Sequence, residues 1–98
     1  MIVSEITVKN LSDYLKLDFE SLTEEETAEL STFLSSAKAF ISEYTGLNSE
    51  EIDGHETFVI AVYVLVQDMY DNRTYYVDKN NLNRVVSMIL DMHSINLL

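Results

Sequence analysis

The stretch that decides the fold is residues 58–70, which read Phe-Val-Ile-Ala-Val-Tyr-Val-Leu-Val-Gln-Asp-Met-Tyr. Nine consecutive apolar residues run from Phe58 to Val66, before the first polar residue, Gln67. A helix on a protein surface would instead carry a polar residue at every third or fourth position. The run is therefore either a helix that is buried on nearly all sides or a fully buried strand.

The length of the run and the absence of turn-forming residues within it favour the helix over the strand. Helical spacing continues through Met69 and Tyr70, and no turn-forming residue lies between Glu56 and Asp71. We predict a central helix over about residues 56–71, roughly 24 Å long at 1.5 Å per residue. Its five Val and Ile residues lower its intrinsic helix propensity. Packing must therefore stabilise it, and the rest of the chain should wrap around it.

A second helix is predicted over residues 24–45. It opens on Thr23-Glu24-Glu25-Glu26, a capping box in which Glu26 reaches back to the amide of Thr23. Gly46 ends it as a left-handed residue just beyond the last turn. Between these ends, one apolar stripe recurs at i, i+3, i+4 and i+7 spacing. The stripe consists of Leu30, Phe33, Leu34, Ala37, Phe40, Ile41 and Tyr44.

Shorter elements complete an all-α fold. Thr7 or Asn10 is the candidate cap of a first helix that ends near Lys16. A helical turn is expected around residues 49–52, and the aromatic segment 75–77 also suits an extended conformation. The last helix is predicted from Asn81 or Leu82 to His93, with inward side chains at Leu82, Val85, Val86, Ile89, Leu90 and Met92.

We therefore predict one domain over residues 1–98, a small bundle of four main helices around the central one. A flexible loop is expected at about residues 73–81, after the central helix. Proline is absent and glycine occurs twice, as expected for a chain of few, long helices.

The net charge of −11 is unevenly distributed. Residues 18–56 carry eleven carboxylates and a single basic residue, Lys38. Such a charge repels phosphate, which argues against sequence-specific binding of nucleic acid. The segment is interpreted as a solvated face, or as a surface for a basic partner or for DNA that must slide past. The candidate residues are Glu24, Glu25, Glu26, Glu29, Glu50 and Glu51.

The sequence contains few of the patterns that are typical of a membrane span, a disulfide framework or a catalytic site. No apolar run approaches the roughly 18–20 residues that cross a bilayer, and the start lacks the basic region of a signal peptide. Cysteine is absent, so a cytosolic protein is expected. His55 is interpreted as part of a helix-capping connector, and His93 as a residue at a helix end. No phosphate loop or nucleophile elbow is present, and we predict no enzyme, cofactor or metal site.

The order of several short motifs resembles a known family. Residues 14–18 read Tyr-Leu-Lys-Leu-Asp, residues 44–46 read Tyr-Thr-Gly, and residues 70–73 read Tyr-Asp-Asn-Arg. In this order, which spans nearly the whole chain, they resemble the small head–tail connector proteins (head-completion or adaptor proteins) of tailed bacteriophages and prophages. The chain departs from this pattern at Gly54-His55-Glu56, where relatives often carry a proline before the central helix.

The resemblance implies a virion assembly protein that forms a ring of about a dozen copies under the portal. Such a ring extends the DNA channel without binding DNA specifically, and it presents a docking surface for the next tail-side component. The expected location is the head–tail interface, after assembly in the bacterial cytoplasm. Arg73 is expected to pair with a carboxylate, within its subunit or across an interface. Candidate contact residues are Arg73, Tyr75, Tyr76, Ile95, Leu97 and Leu98.

An alternative from another functional class is a small acidic protein that mimics phosphate. Such a protein would bind and inhibit a basic or DNA-binding target. The two hypotheses differ in self-association, because a connector forms rings and binds a portal, whereas a mimic acts as a monomer.

Overall fold

The computed structural model describes residues 1–95 and shows an all-α bundle in which those residues form no strand. The predicted fold class is confirmed, and the strand alternative for residues 58–66 is wrong. Short 3-10 turns occupy Val3–Glu5, Phe19–Ser21 and Lys79–Asn81. The α-helices are α1 (Val8–Tyr14), α2 (Glu24–Thr45), α3 (Ser49–Asp53), α4 (Thr57–Asn72) and α5 (Arg84–His93).

Helix α4 is the axis of the bundle. It packs against α1, α2, α5 and the first 3-10 turn. Among residues 58–70, Ile60 is the one side chain that is largely exposed, at 51%. Helix α4 is therefore surrounded on nearly all sides, as its unbroken apolar run predicts. Its fully buried residues are Phe58, Ala61, Val62, Leu65, Val66 and Met69.

Helix α2 has the predicted bounds at both ends. Thr23 Oγ1 accepts a hydrogen bond from the Glu26 amide, and the Glu26 carboxylate accepts one from the Thr23 amide, each at 3.1 Å. Gly46 adopts a left-handed φ of 77°, and its N–H donates to the Ser42 carbonyl. Local sequence thus sets where this helix starts and stops, while its buried stripe holds it against α4.

We expect Thr23→Ala to lower the free energy of unfolding by about 1 kcal/mol, because the Glu26 amide loses its cap. Urea denaturation monitored by circular dichroism measures the change. Thr32→Ala is the matched control, since Thr32 lies exposed within α2 and its hydroxyl only donates to the Ala28 carbonyl. A control that loses as much stability as the cap variant would contradict this assignment.

Two helix boundaries differ from the prediction. Thr7, not Asn10, caps α1, and this helix ends at Tyr14, because Lys16 turns into the left-handed region at φ 61°. Helix α5 starts at Arg84 rather than at Asn81 or Leu82. Its cap is Asn83, whose side-chain oxygen accepts hydrogen bonds from the amides of the second and third residues of the helix.

The orientation of α5 is the main correction to the predicted core. Val86 and Leu90 are buried, but Val85 and Met92 are exposed, although they were predicted to point inward. Helix α5 packs on α2 and α4 from one side only. At 100° per residue, Val85 and Met92 lie well over 90° around the helix from the mean direction of the buried pair. They therefore face away from the bundle.

Candidate functional site

The central helix ends in a sharp corner at Arg73. This residue adopts φ 54° and ψ 43°, a left-handed conformation that is uncommon for a residue other than glycine. Its N–H donates to the Met69 carbonyl, which also accepts the Thr74 N–H at 3.1 Å. Both bonds close the last turn of α4 on the Met69 carbonyl, and the chain is redirected into the loop that leads to α5.

The Arg73 side chain pairs within its own chain. Nη1 lies 2.6 Å from Glu29 Oε1, and the guanidinium stands 4.5 Å above the centre of the Tyr70 ring. The pair joins the end of α4 to the first half of α2. Of the two interpretations of Arg73, an internal pair or a pair across a subunit interface, this single chain shows the internal one.

Tyr75 completes the same corner. Its hydroxyl donates to Glu29 Oε2 at 3.0 Å, and its ring stacks on Phe33 at 5.5 Å between centroids. Ser36 Oγ donates to the Tyr75 carbonyl at 2.9 Å. Tyr75 is thus anchored, although its side chain remains largely accessible. Tyr76 is 67% exposed, so it is the tyrosine of this loop that offers most surface to a partner.

Glu29→Gln should lower the pKa of Tyr75 toward its ordinary value of 10.0. In the intact protein, the hydrogen bond to the Glu29 carboxylate raises this pKa, followed by the negative charge of the same group. A raised folded-state pKa means that the contact stabilises the fold below pH 10 and loses that effect as the pH rises through the folded-state value. An NMR titration of the tyrosine ring signals measures the shift. The unmodified protein, titrated in parallel, serves as the control.

The C-terminal end of α5 is fixed to the C-terminal end of α2. The Ile95 amide donates to the Thr45 carbonyl at 2.8 Å. The Ile95 side chain lies over Gly46, where an added Cβ would sit 3.7 Å from Ile95 Cβ. Ile95 is partly exposed, and the other two predicted tail contacts, Leu97 and Leu98, lie outside the described residues.

An apolar surface that the sequence did not predict lies on α5. Val85, Met88 and Met92 are exposed by 52%, 60% and 71%, and their i, i+3, i+7 spacing places them along one side of the helix. We call these three residues the α5 stripe. A different side of the helix carries Asp91, which accepts a hydrogen bond from the Tyr44 hydroxyl and so ties α5 to α2. The excess of apolar residues in α5 was the available signal, because a one-sided helix cannot bury them all.

The predicted acidic residues fall into two groups. Glu24, Glu25 and Glu26 occupy the first turn of α2, whereas Glu50 and Glu51 lie in α3, beyond the other end of α2. Twenty-two residues of helix separate these ends by about 33 Å. All five side chains are exposed, but Glu29 is only 22% exposed, because it holds Arg73. The acidic segment thus forms two clusters rather than one continuous face.

The two histidines meet, which sequence reasoning missed because 37 residues separate them along the chain. The rings of His55 and His93 stack at 4.1 Å between centroids, and the Phe58 ring packs edge-on against both. His93 Nε2 also lies 3.4 Å from Thr57 Oγ1. The pair therefore joins the start of α4 to the end of α5. In residues 1–95, no cluster of three or more His, Cys, Asp or Glu side chains is placed to hold a metal ion.

No protein-family model, curated protein or solved structure matches this chain. Over residues 1–95, the helices are all too short or too polar to span a bilayer. Function is therefore inferred from the residues and their geometry, together with the order of motifs in the sequence.

Proposed function

We propose that this chain is a non-enzymatic connector subunit of a tailed-phage or prophage virion. It assembles as a ring beneath the portal, extends the DNA channel and provides a docking surface for the next tail-side protein. The single observation that supports this most is the α5 stripe. Three large apolar side chains lie exposed, at helical spacing, on a chain whose net charge is −11.

The α5 stripe suits contact with a second copy of this chain. Burying apolar surface contributes roughly 25 cal/mol per Å², and aligned apolar residues on a helix fit a groove on another subunit. A closed ring requires a heterologous contact, in which the stripe of one subunit packs on a different surface of its neighbour. Methionine suits such a contact, because its flexible side chain adapts to an irregular partner surface.

The acidic clusters suit a wall along which DNA passes. Exposed carboxylates on Glu24, Glu25, Glu50 and Glu51 would repel the phosphates and keep the DNA mobile. Lys38 is the single basic residue between residues 18 and 56, so this part of the chain offers little that would retain DNA. DNA therefore moves past without specific binding.

The corner and the C-terminal end supply the remaining contacts. The internal pair with Glu29 makes Arg73 a residue that shapes the corner, and Tyr76 is the most exposed candidate contact of the loop. The Ile95 amide donates to the Thr45 carbonyl, and the last three residues of the sequence follow it. By the family resemblance, those last residues dock on the portal.

Co-sedimentation with the portal protein of the same phage or prophage tests the proposal. The chain should sediment with portal assemblies and saturate at a fixed ratio, at a salt concentration that suppresses charge-driven contacts. A chain that stays monomeric, ignores the portal and binds a basic nuclease or repressor would overturn it in favour of the acidic inhibitor. A neutral portal-sized ring of another protein serves as the control for nonspecific pelleting.

A further inference from the structure

A cleft of about 500 Å³ lies between the second half of α4 and the segment that leads into α5. Such a volume lies within the range of ligand sites in proteins, roughly 300–1,000 Å³. Val77 and Leu82 contribute apolar surface to its lining, and the buried side chains of Leu65 and Met69 lie at its floor. Its polar lining comes from Asp68, Asn72, Thr74, Asp78, Asn81 and Asn83, and Tyr76 also lines it.

Most of these polar side chains already have partners. Asp78 accepts hydrogen bonds from the Asn80 amide and from Asn81 Nδ2, each at 3.0 Å. Asn83 caps α5, and Asn72 Nδ2 donates to the Asp68 backbone carbonyl at 2.9 Å. These groups hold the cleft in shape, and their bonds are local to the segments that form it.

Asp68 is the exception. Within residues 1–95, its carboxylate takes part in no ion pair or side-chain hydrogen bond. The side chain is half-buried, and burial, followed by the nearby charge of Asp71, raises the pKa of this carboxyl above its ordinary value. A carboxylate that is partly shielded from water and has no partner is stabilised by a cation brought beside it.

We propose that this cleft binds the basic side chain of a partner protein, an arginine or a lysine. The cationic head pairs with the Asp68 carboxylate, and the alkyl stem lies along Val77 and Leu82. The exposed ring of Tyr76 borders the cleft, within reach of a guanidinium that can stack on it. Binding at this cleft does not require that the chain assembles as a ring beneath a portal, because any partner protein with a protruding basic residue can occupy it.

The lining disfavours the other classes of ligand. A hard metal ion needs several carboxylate or carbonyl oxygens, whereas here one carboxylate is free and Asp78 is engaged by its own turn. An anion would meet two carboxylates. A neutral apolar ligand would leave Asp68 desolvated and still unpaired.

An NMR titration of the ¹⁵N-labelled protein with N-acetylarginine amide tests the proposal. Saturable shifts are expected for the amides of Asp68, Asn72, Asn81 and Leu82. N-acetylcitrulline amide, which has nearly the same shape and no charge, should produce none. Asp68→Asn should weaken binding by about tenfold or more, since a charge-assisted contact is lost.

Asp71→Asn is the matched control for net charge. Asp71 is exposed on the same helix, and its carboxylate accepts from Gln67 Nε2 at 3.3 Å, so this variant should weaken binding much less than Asp68→Asn does. Asp68→Asn should also melt no lower than the unmodified protein at neutral pH. The raised folded-state pKa means that the ionised carboxylate opposes folding above the unfolded-state value.

The proposal would be overturned by no saturable shift with the arginine probe, by equal binding of the citrulline probe, or by equal weakening by the two aspartate variants. Putrescine, a small free diamine, distinguishes a cleft for a protein side chain from a cleft for a small-molecule amine. Tighter binding of putrescine than of the arginine probe would assign the cleft to a small molecule instead.

Discussion

Phe58→Ala is expected to lower the free energy of unfolding by about 3–5 kcal/mol. Phe58 is fully buried in the first turn of α4, and its ring packs edge-on against both His55 and His93. Removing the ring leaves a cavity where α4 meets the end of α5. Domains of this size are commonly stable by only about 5–15 kcal/mol. The variant should therefore be close to unfolding at 37 °C.

Ile60→Ala provides the control, two residues along the same helix. Ile60 is half-exposed, so its truncation should cost no more than about 1 kcal/mol. Chemical denaturation of both variants, at a concentration at which the chain is monomeric, measures the difference. Equal losses would contradict the assignment of Phe58 to the core and of Ile60 to the surface.

Met88→Glu combined with Met92→Glu is expected to abolish assembly while leaving the monomer folded. Both side chains are largely exposed, so the fold should change in stability by less than about 1 kcal/mol. In an interface, the two carboxylates would be desolvated without partners, on a protein that is already strongly acidic. We expect association to weaken by about a hundredfold or more. Sedimentation velocity and circular dichroism report the two effects separately.

Ser31→Glu combined with Ser35→Glu is the matched control for this experiment. These serines are exposed on α2 with the same i, i+4 spacing, so the variant gains the same charge at another place. It should assemble like the unmodified chain. Loss of assembly in both double variants would show that net charge, not the α5 stripe, governs association.

The sequence predicted those parts of the fold that depend on local patterns. The capping box at Thr23 and the glycine at position 46 mark the ends of α2, because both act on neighbouring backbone groups. The apolar run of α4 identifies the central helix, because a helix that is buried on all sides is apolar on every face, whichever elements surround it. Helix α5 shows where prediction from local patterns stops. Its apolar residues exceed one face, and only tertiary packing decides that Val86 is buried and Val85 exposed.

The contacts of the candidate site are mostly between distant residues, and for that reason the sequence alone did not predict them. Glu29 was grouped with the solvated carboxylates, but the fold brings Arg73 and Tyr75 to it from more than forty residues away. The stacking of His55 on His93 depends in the same way on how α5 returns to the start of α4. Asp68 reads as one polar position on an apolar helix, and the cleft it lines exists only once the segment after Arg73 has folded over α4.

Native mass spectrometry of the chain mixed with its portal assembly tests the central proposal most directly, because it counts copies. The proposal predicts a complex that carries about a dozen chains on each portal. It also predicts that Met88→Glu combined with Met92→Glu removes this species. Portal and free monomer as the only species, across the whole range of concentrations, would contradict it.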